Sequence, residues 1–393
     1  ARCGALDPAS IDAAIASGAY EGLRVAQALD PESIVRIVEE RGLAGRGGAY
    51  FPAARKWQTA RSYPGPRYLV VNAEEGEPGV FKDRHVIEND PHLLVEGMLI
   101  AARAVEAAAV YVYVNGEADA ARRRLEAALS QARARGHVPQ NLPIEIRRGA
   151  GGYVCGEESV ILNSIEGERA VPRPRPPLPV QAGLWGRPTV INNVETLCNL
   201  PLILREGAAA FRAPGTDAHP GTKVLCVSGA VARPGVCEVS FGTTLRHVIE
   251  VIAGGAAPGR TLRAALCGGP SGGLLPPHLW DVPLAPGRLD DGGASLGAGG
   301  IVVIDDAMPI ADVVRHLTAY NAQESCGKCT PCREGTERMI EILDARPADA
   351  AERLDALSEA IAAASLCGLG QMASLPYLSA RRHFPDDMPG GAR

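Results

Sequence analysis

Aromatic residues are scarce in this sequence: Phe, Trp and Tyr make up 4% of 393 residues. Any core must therefore be packed mostly from aliphatic side chains. No apolar run approaches the roughly 20 residues of a membrane helix, and no hydrophobic secretion segment is evident. The expectation is a cytoplasmic protein with no direct membrane insertion, peripheral to a membrane complex only through partners. A net charge of −5 gives no concentrated basic surface, which argues against nucleic acid as a partner. The eight histidines are dispersed, and neither a Ser/His/Asp nor a Cys/His assembly is suggested. Both the dinucleotide fingerprint G-x-G-x-x-G and the P-loop lysine are missing.

What the chain does have is loop chemistry. It carries 45 glycines and 31 prolines in a composition that is otherwise ordinary for a globular protein, and its length allows two or three domains. Six of its ten cysteines, Cys3, Cys155, Cys198, Cys226, Cys237 and Cys267, are scattered and read as reduced, mostly buried thiols. The other four form a pattern. Cys326, Cys329 and Cys332 follow C-x2-C-x2-C spacing, with Gly327 relaxing the turn and Pro331 stiffening it, and Cys367 lies far downstream. Structural zinc usually pairs two C-x2-C knuckles. A triplet with a remote fourth thiol instead suits a four-iron four-sulfur cluster. Zinc and unligated thiols are the alternatives.

Upstream, the 42–52 loop holds four glycines and Arg46, with Lys56 and Trp57 beyond. Clustered glycines let backbone N–H groups approach a ligand, and a cation nearby suits phosphate. Strands are predicted over 68–72, 110–114 and 144–147, and helices over 11–16, 34–40, 91–107, 118–135 and 160–165. This alternation points to a mostly parallel α/β sheet, with ligands beyond the carboxyl ends of its strands. An acidic loop with Glu74, Glu75 and Glu77 follows Asn72 at the first of those ends. A glycine-rich turn, 149–156, follows the third and leads through Glu157 and Glu158 into a helix, a favourable start for anion or nucleotide binding.

The proline-rich 171–188 stretch cannot be a regular helix. Asn192 and Asn193 follow it at the start of a helical run, as caps or cofactor contacts. Around 211–221 the composition shifts to small and turn residues. Strands over 223–228, 235–239 and 301–304, with a helix over 244–253, then predict a small α+β domain whose job is structural or docking. From 311 onward helices are predicted over 311–321, 336–345, 348–364 and 369–383, with the cysteine triplet between the first two and Cys367 after the third.

Assembled in this order, the blocks resemble the FMN- and NADH-binding subunit of respiratory complex I and its homologues in NAD-linked hydrogenases and formate dehydrogenases. The resemblance spans nearly the whole chain. It implies a Rossmann-like α/β domain over 1–213 for FMN and NAD(H), a ubiquitin-like α+β domain over 214–308, and a four-helix bundle over 309–393 that carries a [4Fe-4S] cluster. Carried over by position, Gly45, Arg46, Gly47, Gly48 and Lys56 would wrap the flavin phosphate and ribityl chain. Asn72, Glu74, Glu75, Gly156, Asn192 and Asn193 would contact the flavin from other loops, and Phe51, Glu77, Tyr153, Glu157, Glu158 and Arg175 would line the nicotinamide nucleotide pocket. Glu77 and Glu158 would position NADH, with Glu158 favouring NAD over NADP, while Cys326, Cys329, Cys332 and Cys367 would hold the cluster.

The implied activity is NADH:acceptor oxidoreduction, with hydride passing between cofactors and no side chain acting as acid, base or nucleophile. One cluster cannot complete turnover on a quinone or proton, so partners are expected: a small [2Fe-2S] thioredoxin-like subunit and a multi-cluster subunit. The sequence departs from the family at Tyr50, where glycine is usual, at Glu74 for aspartate and at Arg175 for lysine. Thr59 and Leu178 stand where aromatic faces often meet adenine. These departures motivate an alternative, an FMN/iron–sulfur relay subunit that does not use NAD(H).

Overall fold

The structure is a computed structural model that describes residues 2–149 and 151–389. Ala150 of the second glycine loop and the end of the expected 309–393 domain lie outside the described residues. Three regions follow one another along the chain.

The first opens with α1 (Ile11–Ala16), α2 (Glu21–Gln27), α3 (Pro31–Arg41) and α4 (Ala53–Arg61). Ser10 caps α1 and Asp30 caps α3, each accepting a backbone N–H three residues on, as their sequence signals require. Helices α2 and α4 are additions to the sequence expectation. Then come β1 (Arg67–Ala73), α5 (Lys82–Asn89), α6 (Pro91–Val105), β2 (Ala107–Val114), α7 (Asp119–Ala134), β3 (Ile144–Arg148), α8 (Glu158–Glu166), β4 (Thr189–Asn193), α9 (Val194–Cys198) and α10 (Leu200–Arg212).

The four strands form one parallel sheet in the order β3-β2-β1-β4. Helices α3, α6 and α7 pack an aliphatic core on one face, and α8 covers the other with Val160, Ile161 and Leu162 against Val70 and Ile191. Because β1 has β2 on one side and β4 on the other, the strand order reverses at β1, and the crevice there opens beyond Asn72 and its register partner Asn193.

The middle region is a five-stranded sheet, β6-β5-β9-β7-β8, built from β5 (Thr222–Gly229), β6 (Gly235–Ser240), β7 (Leu262–Cys267), β8 (Gly273–Leu275) and β9 (Gly300–Asp305). Strands β7 and β8 are additions to the sequence expectation too. A glycine opens the three-residue β8, and the alanines of β7 carry little strand propensity, so tertiary pairing decides both. The predicted 244–253 helix is present as a helical run over 245–252 that is of π type at His247–Ile252.

One face of this sheet packs its own core, and Tyr50 of the first glycine loop joins that core. The other face packs against the C-terminal helices through Ala264, Leu266, Leu274 and Ile304. Those helices are α11 (Ile310–Gln323), α12 (Thr330–Ala345), α13 (Ala350–Ala364), α14 (Gly368–Met372) and α15 (Leu375–His383). The single helix expected over 369–383 is broken at Ala373 and Ser374, because Pro376 in the first turn of α15 disfavours helical continuation before it. No helix among the described residues is long and apolar enough to cross a membrane.

Candidate flavin cavity and cluster site

A cavity of about 390 Å³ opens at the carboxyl end of the parallel sheet, within the size range of small-molecule pockets. Gly47 and Gly48 form one wall, Asn72 and Asn193 the strand-end floor, and Glu75 and Glu77 the acidic side. Tyr153, Gly156 and Glu157 come from the second glycine loop. The middle region adds Gly268, Ser271 and Gly297, and the far end is closed by Cys367 and Leu369. A neighbouring cavity of about 410 Å³ shares Glu77 and Tyr153 with it and extends to Arg84, Asn115 and Glu324.

The first glycine loop is a hairpin closed by Gly45 N–H donating to the Phe51 carbonyl at 2.9 Å and by an Ala44–Pro52 bridge. Gly48 has φ +117°, and a Cβ added at Gly47 would stand 3.0 Å from that of Asn193, so only glycine leaves this wall open. The N–H groups of Gly47 and Gly48 have no hydrogen-bond partner among the described residues. Tyr50, a departure from the family pattern, takes a left-handed φ of +52° and donates its hydroxyl to the Gly297 carbonyl at 2.9 Å. The side chain thus ties the loop to the middle region.

Arg46 corrects the sequence expectation. Its guanidinium points away from the cavity, donates to the carbonyls of Ala44, Pro220 and Thr222, and lies 4.6 Å over the Phe241 ring. At 1% exposure it is a buried bolt between the two regions, satisfied by carbonyl dipoles and an aromatic face.

Other expected residues stand behind or beside the wall. Lys56 Nζ donates to Glu158 at 2.5 Å and to the Ile191 carbonyl at 3.0 Å, so Glu158 spends its charge on an ion pair. Asn192 accepts from the Trp57 indole N–H at 2.9 Å within the core. Asn72 spans two loops, donating to the Gly156 carbonyl at 3.0 Å and accepting from Glu74 N–H at 3.1 Å. Glu157 caps α8 by accepting from Ser159 and Val160 N–H and pairs with Arg175. Phe51 and Leu178 are exposed beyond the rim, and Arg55 lies over the Phe51 ring at 5.8 Å. Thr59 is turned to its own helix, donating to the Arg55 carbonyl at 2.8 Å.

The three acidic residues are not a solvated run. Glu75 accepts the N–H groups of Asp83 at 2.5 Å and Arg84 at 2.8 Å, which caps α5 from outside. Burial pushes the Glu74 carboxyl up to about 8, and burial likewise pushes Glu77 up to about 7, against the pull of Lys82 and Lys223. One carboxyl oxygen of each has no partner among the described residues. Glu77 lines the cavity, whereas the free Glu74 oxygen lies by Gly149. The unsatisfied Glu77 oxygen and the free backbone donors of Gly47 and Gly48 around one space fit a polar ligand such as FMN.

A buried charge cluster is not legible in the sequence. Lys82, Asp83, Glu195 and Lys223 are each at most 5% exposed and bond to one another behind the cavity. The run Lys82-Asp83-Arg84 looks like a loop, and Lys223 like an ordinary strand residue. Only their spacing relative to a distant sheet makes them partners.

At the other end Cys326 sits in a loop, Cys329 caps α12, Cys332 lies in its first turn and Cys367 precedes α14. The triplet therefore enters the helix, because Pro331 is a favourable helix-start residue. Gly327 has φ +75°, the relaxation its position calls for. Burial pushes the Cys332 thiol up to about 11, and Cys329, Cys367 and Cys326 add to the rise. A Cβ at Gly370 would stand 3.1 Å from that of Cys332, so glycine keeps room beside the thiols. Among the described residues no three His, Cys, Asp or Glu meet closely enough to hold a single metal ion. Lys328 Nζ donates to the Pro172 carbonyl at 2.6 Å and Arg169 to the Cys326 carbonyl at 3.1 Å. The proline-rich stretch is thus a backing for the cluster loop.

Known proteins share this arrangement. Residues 38–202 match the Nuo51 FMN-binding domain, 224–275 the SLBB domain, and 312–390 the iron–sulfur binding region of NADH-ubiquinone oxidoreductase F. The second F-type subunit of NADH-quinone oxidoreductase in Rhizobium meliloti is 42% identical, over 94% of this chain and 91% of its own. The chain belongs to the family of F-type subunits of NADH-quinone oxidoreductase. Another similar protein is the HndC subunit of the NADP-reducing hydrogenase of Solidesulfovibrio fructosivorans, 41% identical over 98% of this chain and 81% of its own. A crystal structure of an NAD+-reducing [NiFe]-hydrogenase in the H2-reduced state superposes with TM-score 0.87 at 40% identity. It matches 95% of this chain, which spans 65% of that longer one. As a member of this family the chain is a flavin- and iron–sulfur-dependent oxidoreductase subunit, of mixed α/β fold with an SLBB domain.

Proposed function

We propose that the 390 Å³ cavity holds FMN, that NADH enters against it from the Phe51 rim, and that Cys326, Cys329, Cys332 and Cys367 hold the [4Fe-4S] cluster that takes the electrons onward. The observation that carries this reading is that one cavity is walled by both glycine loops and by Cys367. A ligand there touches the nucleotide-type loops at one end and a cluster thiol at the other. When bound, FMN accepts a hydride and releases electrons singly, and the cluster conducts them. The residues supply binding and orientation. Gly47 and Gly48 offer backbone donors, Asn72 and Asn193 hold the strand-end floor, and Tyr153 and Gly156 form the opposing wall. Gly45 closes the hairpin, Lys56 with Glu158 braces the loop from behind, and Glu74, Glu75 and Glu77 line or back the acidic side. Arg175, held by Glu157, and exposed Phe51 are the nucleotide contacts of the rim.

In the same reading residues 1–213 form the FMN/NADH domain, 214–308 a ubiquitin-like β-grasp domain, and 309–393 a four-helix bundle. The chain works in the cytoplasm within a larger redox complex, beside a [2Fe-2S] thioredoxin-like subunit and a multi-cluster subunit. Thr59, bonded to its own helix, and aliphatic Leu178 favour a second reading, a relay that keeps FMN and cluster but not NAD(H). Anaerobic titration of the FMN-loaded chain with NADH and then NADPH separates them. Flavin bleaching by NADH is expected. Flavin left oxidised by both nucleotides would establish the relay, and bleaching by NADPH alone would reverse the nucleotide assignment.

A further inference from the structure

The charges buried behind the cavity connect it to the middle region through one continuous chain of contacts. Lys223 of β5 is 1% exposed and lies against Gly299, where a Cβ would stand 3.0 Å from its Nζ. The ammonium donates to Glu195 Oε2 at 2.5 Å and to the Val224 carbonyl at 2.8 Å. The same Glu195 oxygen receives Lys82 at 2.9 Å, and Lys82 also donates to Asp83 Oδ1 at 2.7 Å. Asp83 lines the cavity and accepts from the Asn193 amide at 2.6 Å through its other oxygen. Its backbone N–H is the one that holds Glu75 at 2.5 Å.

We propose that Lys223 is a positioning residue for the flavin cavity: through Glu195 and Lys82 it holds the Asp83 carboxylate that fixes Asn193 at the cavity wall. This rests on the FMN reading above. It makes the middle region part of the flavin site rather than a spacer beside it. The physical reason is that Glu195 sits between two buried ammonium groups. Taking one away leaves a desolvated carboxylate that must draw Lys82 towards itself and off Asp83.

Lys223 pairs with Glu195 on α9, which Lys82 of α5 shares, and the charges of Asp83 on α5, Glu77 in the acidic loop and Cys226 on its own strand act within the same cluster, with Arg46 of the glycine loop acting on Glu195. Burial pulls the Lys223 ammonium down to about 8 against Glu195, whereas Asp83 and Glu195 hold Lys82 charged well above that range. As pH rises through about 8, Lys223 therefore loses its charge first.

The test is FMN affinity of the full chain, read by flavin fluorescence from neutral to alkaline pH. At neutral pH Lys223→Met should bind FMN about tenfold more weakly than the native chain, while Lys223→Arg, which keeps a cation that does not titrate in this range, should hold near-native affinity. Glu77 and Glu74 also titrate between about 7 and about 8, so the alkaline limb is read as a difference: between neutral and alkaline pH the native chain should lose up to about tenfold more affinity than Lys223→Arg and converge on Lys223→Met. Iron–sulfur absorbance is the fold control for both variants. A folded Lys223→Met that binds FMN as tightly as the native chain at neutral pH overturns the proposal, as does a folded Lys223→Arg that binds no better than Lys223→Met. Where Lys223→Met does not fold, a native chain whose alkaline fall is no larger than that of Lys223→Arg overturns it. Absence of FMN binding by the native chain at any pH would sink the flavin reading instead, which is a separate outcome.

Discussion

Three of the four candidate cluster ligands lie within residues 326–332, whereas the candidate flavin cavity is walled by residues from Gly47 to Met372 drawn from all three regions. The cluster site therefore depends on a short loop and the start of α12, with one remote thiol closing it. The cavity depends on how a sheet end, a second sheet and a helical region meet. A local change should silence the first cleanly, while the second should respond to residues that touch no ligand.

The sharpest way to break this comparison is Cys329→Ser. It is expected to abolish the visible iron–sulfur absorbance and the bound iron while leaving FMN binding within a few-fold, checked by metal analysis beside a flavin titration. Loss of both cofactors together would mean that the two sites are not separable. Next in size is Glu195→Ala, which leaves Lys82 and Lys223 buried side by side. Removing one partner of such a network typically costs roughly 3–5 kcal/mol, to be read as a lower denaturant midpoint. Since Glu195 touches no ligand, a midpoint unchanged from the native chain would show that the cavity is held by local contacts alone.

Glu74 offers a pH test. Its folded carboxyl is raised to about 8 by burial from a reference value of 4.5, so the folded state holds a proton that the unfolded chain has released. The Glu74 contribution to stability should therefore be full at low pH and decline as pH rises from about 4.5 towards about 8, by up to roughly 5 kcal/mol. Glu74→Gln should flatten that decline in thermal unfolding followed against pH. The smallest effect concerns the rim: Thr59→Phe should lower the NADH dissociation constant several-fold by adding stacking surface worth about 1 kcal/mol, measured by titration of the FMN-loaded chain. No gain would place adenine elsewhere.

Much of this is legible in the residues. The parallel sheet follows from the alternation of strand and helix periods, and the cysteine spacing carries the metal chemistry. The two glycine loops and the acidic loop mark the sheet end where the cavity lies. What stays hidden is direction. Arg46 in a glycine loop reads as a phosphate partner, yet it turns to Pro220 and Thr222, because three carbonyls and the Phe241 face outweigh an exposed position. Nothing in the sequence marks Lys82 and Asp83 as buried, and only β5 brings Lys223 to Glu195 beside them. Tyr50 reads as a defect until its hydroxyl reaches Gly297.

The order of elements, the glycine positions where a left-handed or close-packed backbone is obligatory, and the spacing of the four candidate cluster thiols can all be read from the residues without coordinates. These depend on short-range sterics and ligand chemistry, which neighbouring residues carry with them. Tertiary packing alone settles which charges are buried together, and makes the middle region supply a wall of the cavity and a cation behind it. Such pairings join residues more than a hundred positions apart, as Asp83 and Asn193 do. Their attraction is strong, and the cost of breaking it high, only in the low-dielectric interior that forms once the regions have packed.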